Sequence, residues 1–333
     1  MKVTPDLAGS LNKILAGASG FTKLSRLGGT GKLVRQMLDG NLPRHTPPRE
    51  TAATPQGAQF LARSFSNAAG SRNYKLYVPA SYRGRPVPLV VMLHGCTQTP
   101  DDFAIGTRMN EIAEQEGFLV AYPAQAASAN MQKCWNWFEV AHQRRDAGEP
   151  AVIAGITREI MRDWAVDPRR VYVAGLSAGG ALAAIMGQTY PDIFAAVGVH
   201  SGLACGAARD MPSAFAAMRG GSAGGSTPGH SVPVIAFHGD SDKTVHPRNG
   251  EEVVAQAART GSTRTEGGTS AGGRRYRRTV HISHDGKTAA EYWVVQGAGH
   301  AWGGGSAAGT YTDPAGPDAS REMIRFFKEA VLS

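Results

Sequence analysis

RVYVAGLSAGG, at residues 170–180, is the stretch that decides the fold. Apolar, β-branched residues lead into the motif Gly-Leu-Ser-Ala-Gly at 175–179, and small residues follow it. Glycines two positions either side of a serine allow a sharp strand-to-helix turn that lifts the hydroxyl clear of a sheet. The stretch therefore predicts a strand, a tight turn and a helix, with Ser177 as candidate nucleophile. A turn without chemistry is the alternative, because a chain with 42 glycines contains such motifs by chance.

Strand-like and helix-like segments alternate on both sides of this turn. Apolar runs typical of strands buried on both faces lie at 74–79, 87–93, 118–122, 170–174, 195–199, 232–237 and 290–295. Helical patterns lie at 99–117, 151–164, 178–190, 249–260 and 318–332. This alternation predicts the α/β class, with a mostly parallel central sheet, helices on both faces and ligand sites at the carboxyl ends of the strands. The Gly- and Ser-rich stretches 219–231 and 261–273 are interpreted as mobile surface loops.

The N-terminal part of the chain differs from the rest in charge. The first 50 residues hold eight Lys or Arg and three acidic residues, so most of the net charge of +8 lies there. Leu7, Leu11 and Ile14 share one helical face, and Gly and Pro become frequent up to residue 57. We interpret 1–57 as a basic helical extension and linker, and 58–333 as the catalytic domain.

Several classes of protein are disfavoured by the composition. Phe21 is the only aromatic residue in the basic segment, so nucleic-acid binding is not expected, whereas weak contact of residues 1–35 with a surface remains open. The three cysteines lack metal-ligand spacing, so no metal site is expected. No stretch approaches the roughly 18 apolar residues of a membrane span, and no secretory signal is recognisable, which favours a cytoplasmic location.

The partners of an activated serine follow later strands, in the order acid and then histidine. The run VPVIAF at 232–237 leads into His-Gly-Asp-Ser-Asp, which offers two carboxylates. We select Asp242 as the residue that orients the histidine, with Asp240 as its rival or as a turn former. EYWVVQ leads into a Gly-rich loop containing His300, which we select as general base because the glycines let its ring approach the serine.

An oxyanion hole requires backbone N–H groups aimed at the tetrahedral intermediate. One donor is expected from Ala178, the residue after the candidate nucleophile. A second is expected from the loop after LVVMLHGCTQ, where Gly95 frees a turn that points the Cys96 N–H inward. The side chain of Cys96 is interpreted as a small buried apolar group or half of a disulfide.

Several motifs together resemble the esterase family of polyhydroxybutyrate depolymerases, which is related to feruloyl and acetylxylan esterases. They are LHGCTQTPDDF, KCWNWFE, YVAGLSAGG, GVHSG, FHGDSDKTVHPRNG and GAGHAWGGG, and the resemblance runs from about residue 72 to 330. It implies an α/β-hydrolase fold, no cofactor, the triad Ser177, Asp242 and His300, and the oxyanion donors Cys96 and Ala178.

The resemblance also implies the surroundings of the site. Four residues are expected to wall the substrate cleft, with ordinary core packing as the alternative for the first and third: Trp135, Asn136, Trp137 and Trp302. Cys96 and Cys134 lie in two family motifs, so they are expected to bridge, leaving Cys205 free. Secreted depolymerases of this group carry a signal peptide and a polymer-binding domain that are not visible here, so secretion is the alternative to the cytoplasm.

These inferences lead to one expected activity with named rivals. The chain is expected to be a serine esterase that hydrolyses 3-hydroxybutyrate oligomers or polyhydroxyalkanoate chains through an acyl-enzyme. A feruloyl or acetylxylan-type esterase acting on plant cell-wall esters is the alternative. A non-catalytic granule- or surface-binding protein is disfavoured because serine, acid and histidine are all present.

Overall fold

The computed structural model describes residues 54–221, 232–258 and 261–332. Most of the predicted extension, including its leucine face, lies outside the described residues, and so does most of the predicted loop at 219–231. The described residues form seven α-helices and two sheets, one of ten strands and one of two.

The ten strands of the main sheet are β1 Gln59–Asn67, β2 Gly70–Val78, β3 Val87–Leu93, β4 Leu119–Pro123, β5 Val166–Leu176, β6 Ala196–His200, β7 Val234–Gly239, β8 Gly261–Thr269, β9 Arg275–Ser283 and β10 Thr288–Val295. The small sheet pairs β11 Trp302–Gly303 with β12 Thr312–Asp313. The helices are α1 Pro100–Thr107, α2 Met109–Glu116, α3 Gly148–Asp163, α4 Ala178–Thr189, α5 Met211–Gly220, α6 Arg248–Ala257 and α7 Ala319–Glu329, with a 3₁₀ turn at Val140–Gln143.

The main sheet has a parallel centre and antiparallel edges. Its order is β1-β2-β4-β3-β5-β6-β7-β10-β9-β8, and every neighbouring pair from β4 to β10 is parallel. The outer strands β1, β2, β8 and β9 pair antiparallel. Because the six central strands run the same way, the residues that follow β3, β5, β7 and β10 gather at one edge of the sheet. The predicted α/β-hydrolase architecture is confirmed.

Apolar side chains fill both faces of the sheet. On one face, α3, α4, α5 and α6 contribute to a core that includes Ile153, Leu182 and Val253. On the other face, α1, α2 and α7 contribute to a core that includes Phe103 and Phe327. Each fully buried large apolar side chain contributes about 1.5–3 kcal/mol, so these two layers stabilise the sheet from whose edge the site loops leave.

The helix predicted at 99–117 is two helices. Thr99 caps the first of them, because its side chain accepts a hydrogen bond from the Asp102 N–H. Arg108, however, adopts a left-handed backbone (φ 58°) that ends α1 and precedes α2. Its N–H donates to the Ala104 carbonyl, and its guanidinium binds Glu111. These local hydrogen bonds offset the cost of the left-handed conformation of Arg108. The apolar pattern of the sequence gives no sign of this break between the two helices.

The interpretation of 261–273 as a surface loop was wrong. Residues 261–269 form β8, which pairs antiparallel with β9 along its whole length. Almost every residue of β8 is exposed, so the strand has no buried side to produce an alternating apolar pattern. Backbone pairing to β9 holds it in place. The strands β1 and β9 and the helix α5 were also absent from the sequence-based assignment.

Candidate active site

Ser177 lies at the turn between β5 and α4, in a strained conformation with φ 58° and ψ −120°. Its N–H donates to the His200 carbonyl at 2.9 Å. Ser177 is half-buried, whereas the other residues of 171–180 are buried, so the turn lifts this one side chain toward solvent. A Cβ on Gly175 would overlap the Gly179 carbonyl, and a Cβ on Gly179 would overlap the Leu93 carbonyl. Both glycines are therefore required by close backbone contact.

Asp242 and His300 are joined by a hydrogen bond at the same sheet edge. Asp242 follows β7, His300 follows β10, and His300 Nδ1 lies 2.7 Å from Asp242 Oδ2. The second carboxylate oxygen accepts the N–H groups of Thr244 (2.8 Å) and Val245 (2.9 Å). A carboxylate only accepts, so the proton of the His300 ring lies on Nδ1 and Nε2 keeps its lone pair. This arrangement suits His300 to the role of a base.

The environment of Asp242 favours its ionised form. Burial alone would raise the pKa of this carboxyl, but hydrogen bonds from His238 and His300 outweigh burial and hold the pKa below its usual value. His238 is itself fully buried, with Nε2 2.9 Å from the Val245 carbonyl and 3.4 Å from Asp242 Oδ2. The carboxylate is thus charged at neutral pH and fixed on several sides.

Asp240, the rival carboxylate, has other partners. Its Oδ1 accepts the Gly297 N–H at 2.7 Å and the Ser241 hydroxyl at 3.0 Å. Gly297 begins the loop that carries His300, so Asp240 braces that loop at its start. The two carboxylates therefore differ in role: Asp242 contacts the histidine ring, and Asp240 contacts the backbone before it.

The loop after β3 lies against the Ser177 turn. A Cβ built on Gly95 would be 3.6 Å from the Ser177 Cβ and 3.5 Å from the Leu176 carbonyl. Among the described residues, neither the Cys96 N–H nor the Ala178 N–H has a hydrogen-bond acceptor. Ala178 is the first residue of α4, and helix N-termini favour negative charge. Two unpaired N–H groups beside a half-exposed serine can stabilise a developing oxyanion.

A buried polar network that the sequence analysis missed fixes this loop. Gln98 Oε1 accepts the Gly95 N–H at 2.9 Å, and Gln98 Nε2 donates to Asp102 Oδ2 at 2.9 Å. Asp102 also accepts the backbone N–H of Thr310 at 2.9 Å. Gln98 and Asp102 are each about 1% exposed. Gln98 occurs in one of the quoted motifs, and the signal that could have identified it is a polar side chain between an apolar strand and a helix cap.

Cys96 and Cys134 form a disulfide, with their Cα atoms 4.2 Å apart, and Cys205 is free. This confirms the predicted pairing. The Thr97 N–H also donates to the Gln132 carbonyl at 2.6 Å. The loop after β3 is thus joined, covalently and by a backbone hydrogen bond, to the segment that precedes Trp135.

Two of the predicted cleft residues lie in this second segment and are buried. Trp135 is fully buried, and its indole N–H donates to the His94 carbonyl at 3.0 Å. The Asn136 side chain donates to buried Glu149 at 3.0 Å, and so does its backbone N–H at 2.7 Å. Because their polar atoms are hydrogen-bonded inside the protein, these side chains support the loop after β3 from its buried side and do not line an open cleft.

The other two predicted cleft residues are also buried. Trp302 is about 1% exposed, donates its indole N–H to the Ser320 hydroxyl at 3.0 Å and packs against Phe103 and His200. Trp137 is about 6% exposed. Both indole rings are therefore buried, which agrees with the core-packing alternative for Trp137 and differs from the cleft wall expected for Trp302.

Residues 54–221, 232–258 and 261–332 contain no cluster of three or more His, Cys, Asp or Glu side chains placed to bind a metal ion. Over the same residues, no helix is both long and apolar enough to cross a bilayer.

Comparison with known proteins identifies relatives across most of this fold. A family model described as esterase PHB depolymerase matches residues 72–279. Poly(3-hydroxyalkanoate) depolymerase C of Paucimonas lemoignei is 33% identical over 270 residues, which cover 75% of this chain and 61% of that protein. Probable acetylxylan esterase A of Neosartorya fischeri is 30% identical over 212 residues, 58% of this chain and 56% of that protein. The chain thus spans about three-fifths of the length of these two relatives.

Solved structures support the fold. Acetyl xylan esterase from Aspergillus awamori superposes with a TM-score of 0.62 at 21% identity, covering 82% of this chain and 99% of that chain. An S-formylglutathione hydrolase from Agrobacterium tumefaciens superposes with a TM-score of 0.54 at 14% identity, covering 84% of this chain and 98% of that chain. At such low identity the likeness concerns the architecture alone.

Proposed function

Because the chain belongs to the esterase PHB depolymerase family, we propose that it hydrolyses carboxylic esters with Ser177 as nucleophile, His300 as general base and Asp242 as the residue that orients the base. The observation that carries this proposal is the 2.7 Å hydrogen bond between His300 Nδ1 and buried Asp242, at the sheet edge where the strained turn presents Ser177. Residues 58–333 form the proposed catalytic domain.

The proposed reaction has two balanced halves. Ser177 Oγ attacks the acyl carbon while His300 Nε2 takes the hydroxyl proton, and the carbonyl oxygen becomes an oxyanion that accepts from the Cys96 and Ala178 N–H groups. The oxyanion re-forms the carbonyl, and the alcohol departs with the proton from His300. Water then attacks the acyl-enzyme, His300 takes and returns a proton, and the carboxylic acid is released. The ionised Asp242 stabilises the imidazolium formed in each half.

The proposed substrates are 3-hydroxybutyrate oligomers or polyhydroxyalkanoate chains. Support comes from the 33% identity to a depolymerase of poly(3-hydroxyalkanoate) over three-quarters of this chain. Acetylated or feruloylated plant cell-wall esters are the second candidate, supported by relatives named acetylxylan esterase and feruloyl esterase B at 30% identity. Weak contact of residues 1–35 with granules is proposed from their basic charge alone.

The test combines labelling with a substrate panel. An organophosphonate probe should label Ser177 in the wild-type chain and leave the folded Ser177→Ala variant unlabelled, because that variant lacks the nucleophile. Hydrolysis of 3-hydroxybutyrate trimer, emulsified polymer, acetylated xylan and methyl ferulate is then compared at equal concentrations of titrated sites. Equal activity of the wild type and Ser177→Ala would rule out the mechanism, and a preference for xylan or ferulate esters would reverse the order of substrates.

A further inference from the structure

His200 links the two parts of the candidate site that must meet during catalysis. It ends β6, between the strand that leads to Ser177 and the strand that leads to Asp242. Its carbonyl accepts the Ser177 N–H at 2.9 Å, and its ring atom Nε2 accepts the Gly303 N–H at 3.0 Å. Gly303 lies three residues after His300. A single residue therefore holds the nucleophile turn through its backbone and the histidine loop through its side chain.

The hydrogen bonds determine which nitrogen of His200 carries the proton. The Gly303 N–H donates, so Nε2 must keep its lone pair, and the ring proton lies on Nδ1. Nδ1 donates to the Ser201 hydroxyl at 3.2 Å. Burial, together with nearby His238 and His300, lowers the pKa of His200 to about 3. The ring is thus neutral over the pH range in which an esterase works, and its acceptor stays available.

Packing prevents the His200 ring from turning away. The ring is 2% exposed and lies between two aromatic side chains. Its centroid is 5.7 Å from that of Phe237, with an angle of 11° between the planes, and 5.2 Å from that of Trp302, with an angle of 26°. Trp302 is itself anchored by its hydrogen bond to Ser320. The acceptor on His200 is therefore held in one direction by stacking and by Ser201.

We propose that His200 is a positioning residue that sets the separation of Ser177 and His300 through its carbonyl and its Nε2 atom. It contacts no reacting atom, so it acts through the two residues it holds. The proposal rests on the proposed esterase function. Errors of about 1 Å in the placement of reacting groups can lower rates about 100-fold, so loss of the side-chain contact should appear in the rate of the chemical step.

The test compares two amides at position 200. In His200→Gln the amide oxygen reaches the place of Nε2 and can accept the Gly303 N–H, whereas in His200→Asn it is one methylene too short. His281→Asn, at a half-buried position of β9 that pairs with Ala290 near the start of β10, is the matched control. Active-site titration with the organophosphonate counts competent serines in each protein. kcat for p-nitrophenyl butyrate is then expressed per titrated site, and KM is measured alongside.

We expect His200→Asn to lower kcat per titrated site about 10- to 100-fold with KM changed less than about twofold, and His200→Gln to stay within about fivefold of the wild type. His281→Asn should match the wild type. A variant that is only less stable would yield fewer titrated sites, each with the wild-type rate, and that result for His200→Asn would overturn the proposal. Absence of labelling in the wild type would instead refute the proposed function, so the two failures are distinguishable.

Ser201→Ala provides a second route should His200→Asn fail to fold. It leaves the His200 ring stacked and Nε2 facing the Gly303 N–H, but it removes the acceptor of the Nδ1 proton, so the ring is restrained less firmly. kcat per titrated site should then fall several-fold. A wild-type rate per site in Ser201→Ala would likewise overturn the assignment.

Discussion

The two loops that flank Ser177 are held in different ways. The loop after β3, residues 94–99, is fixed by a disulfide at Cys96 and by the buried amide of Gln98. The segment after β10, residues 296–304, is held by separate hydrogen bonds that it donates to Asp240, Asp242 and His200. Backbone donors for an oxyanion work best when no rearrangement is required. His300, as the proposed base, changes its charge during the reaction. Its hydrogen bond to Asp242 through Nδ1 holds the ring and leaves Nε2 unblocked.

The largest expected effect distinguishes the two carboxylates beside the histidine loop. Asp242→Asn should lower kcat about 10³- to 10⁴-fold, because an amide no longer selects the His300 tautomer with Nε2 free. Asp240→Asn should cost less than about tenfold, since an amide oxygen can still accept the Gly297 N–H. Steady-state rates on a p-nitrophenyl ester at pH 8 measure both. If Asp240→Asn is the more damaging variant, the acid of the triad has been misassigned.

The loop after β3 should respond to loss of its buried amide with an intermediate effect. Gln98→Leu removes the acceptor of the Gly95 N–H and one partner of Asp102, so the Cys96 N–H can shift away from the oxyanion. We expect kcat to fall about 10- to 100-fold with little change in KM. Gln115→Leu, at an exposed position of α2, is the control. Unchanged kcat in a folded Gln98→Leu protein would show that the disulfide alone positions the loop.

Removal of the disulfide should affect stability more than rate. Cys134→Ser opens a link across 38 residues and should lower the free energy of unfolding by about 2–4 kcal/mol. Since Gln98 still holds the loop, kcat per titrated site should fall less than about tenfold. Urea unfolding and titrated kinetics are compared with Cys205→Ser, which removes only the free thiol. Complete loss of turnover per site in Cys134→Ser would contradict the role given to Gln98.

The smallest expected effect concerns acid stability. Burial lowers the pKa of His94, at the start of the loop after β3, to about 4. The unfolded chain binds this proton near pH 6.5, so the stability contributed by neutral His94 is present above pH 6.5 and is lost as the pH falls toward 4. Between pH 7.5 and 5.0 the loss should reach about 2 kcal/mol, and His94→Gln should lack it. Urea unfolding measures this loss of stability in both proteins. Equal losses in the wild type and His94→Gln would show that His94 is not its source.

The central strands of the sheet could be predicted from the sequence because burial on both faces leaves a recognisable apolar pattern. Strands β3 to β7 and β10 are buried on both faces and appear as continuous apolar runs, and the motif around Ser177 carries glycines that close contact requires. The order of the candidate residues along the chain then follows from the parallel topology. Asp242 and His300 lie where the strands that precede them end.

The edge strands of the sheet and the residues that support the site could not be predicted from the sequence in the same way. β8 is exposed throughout and gains its order from pairing with β9, which no local pattern encodes. Gln98 and His200 act through partners more than 100 residues away, at Thr310 and Gly303. The family resemblance placed Trp135 and Trp302 on the cleft, but their indole N–H groups are satisfied inside. In each case the observed structure depends on hydrogen bonds between residues that are far apart in the sequence.

The chain after the histidine loop packs on α1 through glycines, and this has a consequence for directed evolution of this protein. The Ser306 N–H donates to the Gly106 carbonyl at 2.9 Å, and a Cβ on Gly309 would overlap the Gly106 backbone. A side chain at Gly309 would push apart the segments that follow the two loops beside Ser177, and one at Gly106 would press on the Thr312 side chain, 3.1 Å away. Mutant libraries that aim to change specificity should leave these glycines unvaried and place their diversity at the exposed positions 127–129, 131 and 132, in the segment whose Gln132 carbonyl accepts the Thr97 N–H.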